Sequence, residues 1–243
     1  MKLKTIIITT LTIVTLTLKA QEAAAPKWSS KAMKAIVEVL TYDKDGNLMK
    51  KGTGFYINTE GVALADYQLF KDAYSAVVVD VNGEKSPVKW ILGADDTYSL
   101  VKFKVNTKKN VALTQAETVS SEGALVFTLK YSKGKLASCP SAQVSSIKTI
   151  ADNCPYYTVS YATDESYQGT PVLNAKGELI GTTQPSMGNN GYVLGIGFAD
   201  TLSIKAITTR VNSLALESIH IAKGLPDNAS ESLVYLYMKS TSM

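Results

Sequence analysis

The chain has 243 residues, a formal net charge of +4 and 19% charged residues. Its lysines are scattered and form no basic stripe, which argues against a nucleic-acid partner. After the first twenty residues no stretch is long and apolar enough to span a bilayer.

The N-terminus reads as a secretory signal peptide over residues 1–20. Lys2 and Lys4 form a basic start, Thr5 to Leu18 is apolar and Thr-rich, and Leu18-Lys19-Ala20 precedes a cut at Gln21. Fourteen residues rise only ~21 Å as a helix, short of the ~30 Å hydrocarbon core. No cysteine stands at the cut to carry a lipid. Cleavage removes three lysines and brings the charge from +4 to about +1. The expected location is exported, periplasmic or extracellular, and the style of the leader is bacterial.

Beyond a short stretch from Ala23 to Ser30, strand-like runs follow at short spacing. Ala35 to Asp43 alternates apolar and polar residues. Gly54–Ile57, Gly61–Ala65, Ser75–Val81, Val88–Leu92 and Leu100–Val105 come next. Asp45-Gly46 and Asn82-Gly83 mark turns. A second block holds Ala124–Tyr131, Ala142–Thr149, Tyr156–Tyr161, Pro171–Leu173, Leu179–Gln184 and Val193–Phe198. Many short strands with turn signals point to an all-β protein. Two blocks joined near Asn106–Ser121 point to two barrels, over 31–110 and 120–200. Residues 201–243 read as a helical tail, with apolar residues of Leu202–Leu216 at helical spacing and a break at Gly224–Asp227.

Cys139 and Cys154 are the two cysteines. In an exported chain they most simply pair, which would contribute about 3 kcal/mol for a 15-residue loop. Two free buried thiols are the alternative. No histidine neighbours either one, so a cysteine nucleophile lacks a base. No His/Cys/Asp cluster has metal-ligand spacing, and no cofactor motif is present. Asp95 and Asp96, adjacent on a strand, point to opposite faces and read as turn or solvated acids.

Four segments stand out in order: GTGFYINTEGVALADYQLF (Gly52–Phe70), GADDTYSLVKFKV (Gly93–Val105), SYQGTPVLNAKGELIGTTQ (Ser166–Gln184) and GIGFADTLSIKAIT (Gly195–Thr208). Together they resemble trypsin-like serine proteases of the bacterial HtrA/Deg type. The resemblance implies two six-stranded antiparallel β-barrels with a cleft between them. In that family a histidine, an aspartate and a serine share the proton transfers of acyl chemistry. The matching positions here are Gln68, Ser99 and Gln168. A glutamine amide neither shuttles protons nor attacks a carbonyl, and Ser99 is neutral. The single histidine, His220, lies in the tail. The family's oxyanion glycine, two residues before the serine, is Ser166, which loses glycine's freedom at positive φ. Thr170 replaces a further glycine and is expected to narrow the cleft.

Three functions are therefore open. The first is a catalytically inactive homologue that holds an extended peptide or protein in the inter-barrel cleft by strand addition. The second is a hydrolase with Ser166 as a shifted nucleophile, for which Lys71 is the only lysine near the old histidine turn. The third is a support whose terminal helices bind a partner. Tyr156, Tyr157, Tyr161 and Tyr167 are candidates to line a recognition groove, or ordinary barrel positions.

Overall fold

The computed structural model describes residues 25–107, 110–132, 135–150, 154–160 and 165–202. The signal-peptide reading, His220, Tyr161 and the tail beyond Leu202 lie outside the described residues.

Six strands close the first barrel: β1 Ile36–Tyr42, β2 Leu48–Tyr56, β3 Val62–Asp66, β4 Ser75–Val79, β5 Lys85–Asp95 and β6 Leu100–Val105. They are hydrogen-bonded in the order β1-β2-β3-β6-β5-β4. The second barrel uses β7 Leu125–Thr128, β10 Ser141–Thr149, β11 Pro155–Val159, β12 Pro171–Asn174, β13 Leu179–Met187 and β14 Asn190–Gly195. Its order is β10-β11-β14-β13-β12-β7. The all-β, two-barrel architecture is thus the one the strand spacing predicts. One addition is a separate hairpin, β8 Lys130–Ser132 with β9 Lys135–Ser138. The sequence reads Ala124–Tyr131 as a single strand, but the chain breaks at Leu129, whose side chain turns into the contact between the barrels.

Alternation explains why these runs become barrel walls. In β1, Val37 and Val39 point into the first barrel with Ala63, Ala65, Ile91 and Phe103. Ile36, one residue earlier, points the other way into a cluster shared by both barrels. A period of two sends neighbouring residues to opposite faces, so one strand feeds two cores. The second barrel repeats the device: Val172 and Ile180 fill its interior, while Leu173 and Leu179 face the first barrel. The shared cluster gathers Ile36, Phe55, Leu64 and Leu100 from one side and Leu129, Leu173, Leu179 and Leu194 from the other. Each such leucine contributes about 2 kcal/mol when fully buried, so the apolar contact fixes how the two barrels meet.

Two chain segments tie the barrels together. The linker donates from Leu113 N–H to the Tyr56 carbonyl at 3.0 Å, then exchanges bonds with Leu179: Leu179 N–H to Thr114 O at 2.7 Å and Ala116 N–H to Leu179 O at 2.9 Å. Ahead of the first barrel, helix α1 (Ser29–Ala32) is preceded by Trp28. Its indole N–H donates to the Ala175 carbonyl at 3.0 Å, and its ring meets Phe127 edge-on at 5.5 Å.

The expected disulfide is not formed. No bond joins Cys139 to Cys154. The Cys154 thiol is directed to the Gly195 carbonyl at 3.3 Å, and both cysteines pack as small apolar groups in the shared cluster. Burial pushes the Cys139 thiol up to about 11, which makes it a poor thiolate and a poor nucleophile.

Candidate functional site

The site is built where β3 runs into helix α2 (Tyr67–Phe70). Asp66 is the N-cap: its backbone is extended and its Oδ1 accepts from the Gln68 N–H at 2.9 Å. Capping by a carboxylate satisfies an N–H that the first turn leaves orphaned. The same Oδ1 accepts the Ser99 hydroxyl at 2.5 Å, and the Tyr67 N–H donates to the Ser99 carbonyl at 3.0 Å. Ser99 sits at φ 46 in the turn between β5 and β6, a left-handed conformation that non-glycine residues seldom adopt. Its bonds to Asp66 and Tyr67 hold it there.

The second barrel meets the same carboxylate residue from the other side. Gly169 has φ +70, and a Cβ on it would lie 2.5 Å from the Asp66 nitrogen and 2.8 Å from the Asp66 Cβ. Only glycine permits that approach. Gln168 directly precedes it. The Gln68 N–H and the Ser99 hydroxyl thus bond Asp66, and Gln168 stands one residue from the Gly169 that packs against it. Asp66 itself was not singled out in the sequence. Its signal was present, since an Asp two residues before Gln68 at the end of a strand is an N-cap pattern, but nothing in it foretold the Ser99 contact.

Asp66 is 6% exposed. Burial raises its pKa above the usual carboxylate value, against the lowering effects of the Ser99 hydroxyl, the Gln68 N–H and Lys50. Lys50 reaches the site from β2 and donates to the Gln68 carbonyl at 2.6 Å. Gln68 is exposed, and Ser99 and Gln168 are half-buried.

The loop carrying Gln168 is held from below by hydroxyls. Thr170 is fully buried, donates to the Tyr167 carbonyl at 2.7 Å and lies 3.0 Å from the Thr183 hydroxyl, which also bonds the Tyr167 carbonyl. Thr170 therefore does not narrow the cleft as expected; its hydroxyl finds its partners inside the loop. The Gly169 N–H donates to the Thr183 carbonyl and the Thr170 N–H to the Tyr167 carbonyl, each at 3.0 Å. Both donors that follow Gln168 are thus committed inward, which fixes the loop beneath it.

Ser166 is exposed on the short 3-10 turn Glu165–Tyr167. The lysine in contact with it is Lys130, whose ammonium donates to the Ser166 hydroxyl and stands 4.5 Å over the Tyr167 ring. Lys71, the lysine the sequence pointed to, is the exposed C-cap of α2. A separation of 36 residues carries no local pattern, so the Lys130 contact was illegible in the sequence. Of the four tyrosines considered for a groove, Tyr167 is at the site. Tyr157 is interior to the second barrel, and Tyr156 stacks on Tyr192 at 5.8 Å. The Asp95 carboxylate accepts from the Tyr98 N–H at 2.8 Å, a turn role. Among the described residues no group of three His, Cys, Asp or Glu is arranged to hold a metal.

Two closed barrels with a polar loop-built site between them define a trypsin-like double-barrel protein. The family profile of the trypsin-like peptidase domain matches residues 52–181, and the chain belongs to that family, in its bacterial HtrA-like part. It is 26% identical over 154 residues to a probable periplasmic serine endoprotease, DegP-like, from Chlamydia trachomatis, over 61% of this chain and 31% of that protein. The counterpart in Chlamydia muridarum matches with the same figures. An anti-sigma-I factor, RsgI9, of Acetivibrio thermocellus is 22% identical over 151 residues, covering 61% of this chain and 21% of that protein. The fold is similar to the crystal structure of the serine endoprotease from Yersinia pestis, with a TM-score of 0.59 and 20% identity over 71% of this chain and 62% of that one. The chain spans about a third of the length of the two chlamydial relatives.

Proposed function

We propose that this chain is a catalytically inactive member of the trypsin-like peptidase family, exported, whose inter-barrel cleft binds an extended peptide or protein segment. The observation that carries the reading is that the three positions the resemblance gives to the catalytic groups hold neutral side chains, Gln68, Ser99 and Gln168, while Asp66 accepts from the Gln68 backbone N–H and the Ser99 hydroxyl. No imidazole stands among the described residues. Hydrolysis of an amide by this family's route needs a base that takes the hydroxyl proton and returns it to the leaving amine. An amide at position 68 does neither. Amides and hydroxyls instead keep a cleft polar without an unpaired buried ion, which suits recognition of a peptide backbone.

The Lys130–Ser166 contact favours a second reading, a Ser–Lys hydrolase. Against it, Ser166 stands two residues before Gln168, the position that the resemblance gives to the family's nucleophile. A serine-reactive fluorophosphonate probe separates the two. The inactive reading expects no adduct on folded protein by intact mass. Stoichiometric labelling of Ser166, lost in Lys130→Met, would establish the hydrolase.

A further inference from the structure

We propose that the peptide this cleft accepts is acidic, with a carboxylate side chain seated on Lys130 at the rim of the second barrel. The inference rests on the binding reading above and adds to it the chemical class of the ligand. Lys130 begins β8 and projects toward the 3-10 turn that precedes Gln168. Its ammonium has two partners among the described side chains, the Ser166 hydroxyl and the Tyr167 ring. Both orient the cation and neither cancels its charge. An ammonium carries three donors, and among the described residues the Ser166 hydroxyl takes one of them. The ring beneath adds a cation–π contact that helps hold the ammonium in place.

A second cation, Lys50, stands at the first barrel's part of the site. It reaches over from β2 to the Gln68 carbonyl and lowers the pKa of Asp66. Asp66 itself is buried and accepts from the Gln68 N–H and the Ser99 hydroxyl. Each barrel thus brings one ammonium group to the segments that meet at Asp66 and Gly169. A peptide laid across these segments meets positive charge for its side chains. Complementary charge sets partner choice in this way even where its net contribution to affinity is small.

The test uses the chain as secreted and fluorescein-labelled hexapeptide libraries. In one set a single position is fixed as Glu or Asp, in the matched set as Gln or Asn, and the rest are randomised. Binding is read by anisotropy at low salt. The expected preference for the acidic set is about fivefold, the upper range for an exposed ion pair, and it shrinks as salt rises and shortens the screening length. In Lys130→Met, which keeps the stem, the acid-to-amide ratio falls to about one. Lys50→Met lowers the ratio less, since its ammonium is already engaged by the Gln68 carbonyl. Lys176→Met, on the turn between β12 and β13, keeps the ratio. Equal binding of both sets, or a ratio that survives Lys130→Met, overturns the acidic specificity and leaves peptide binding standing. Absence of binding by every set overturns the binding reading on which the inference rests.

Discussion

The two barrels close in the same way yet hold their halves of the site by different means. The first barrel uses one buried carboxylate: Asp66 caps α2 and pins Ser99 in a left-handed turn. The second uses backbone and threonines: Gly169 takes positive φ, and the Thr170 and Thr183 hydroxyls converge on the Tyr167 carbonyl. Beneath both lies an apolar contact that uses none of these groups. On the inactive reading proposed above, the fold of a peptidase and its chemistry are separable. The leucines that join the barrels set how the barrels meet, and the polar residues above them take no part in that contact.

The comparison can be broken at its tightest point first. Gly169→Val forces a β-branched residue into positive φ and a Cβ against the Asp66 backbone. It should cost about 4 kcal/mol or prevent folding, from the combined backbone strain and steric clash, as read by urea unfolding. If the loss were under about 1 kcal/mol, the barrels would not meet at Asp66. Leu173→Ala, in the shared apolar cluster, should cost about 2–5 kcal/mol. The same substitution effect from a surface leucine such as Leu48 should be within about 0.5 kcal/mol.

The carboxylate half sharpens the comparison with smaller effects. Ser99→Asp, which puts an acid where the resemblance expects the family's aspartate, places a second carboxylate in contact with Asp66. Two such groups cannot both ionise cheaply, so a loss of about 1–3 kcal/mol at neutral pH is expected. Adding Asp66→Asn should return most of it, a coupling that a double-mutant cycle measures directly. Asp66→Asn alone should be neutral or slightly stabilising at pH 7, whereas Asp66→Ala should cost about 1 kcal/mol through the lost cap.

The sign of the pH effect follows from the raised pKa of Asp66. In the window between its unfolded value of 3.8 and its higher folded value, the folded state binds more protons. Stability contributed by this group therefore falls as pH rises through that window. Melting curves of wild type and Asp66→Asn should accordingly diverge on going from acid to neutral pH, with the wild type losing ground. Parallel curves would show that burial does not disfavour the Asp66 charge.

Most of the fold was legible because its signal is local. Alternation in Ile36–Tyr42 and Leu100–Val105, and turn residues such as Asn82-Gly83, need no distant information. What escaped the sequence is what depends on distant packing. Leu129 breaks a continuous apolar run because its partners belong to the other barrel. Thr170, read as a cleft residue beside Gln168, turns inward because the Thr183 hydroxyl and the Tyr167 carbonyl await it there. Cys139 and Cys154 have the spacing of a bridge but pack as apolar groups. At the site, positions 68, 99 and 168 were reached through resemblance, whereas Asp66 and Lys130 emerged only from geometry. Their partners lie 33 and 36 residues away in the chain.

Binding without cutting is the central claim, and both can be read in one tube. A library peptide selected for binding is incubated at excess with the folded protein for a day, with anisotropy and peptide mass followed together. The account predicts a peptide that remains bound and intact. A peptide cleaved with turnover, by wild type and not by Ser166→Ala, would contradict it.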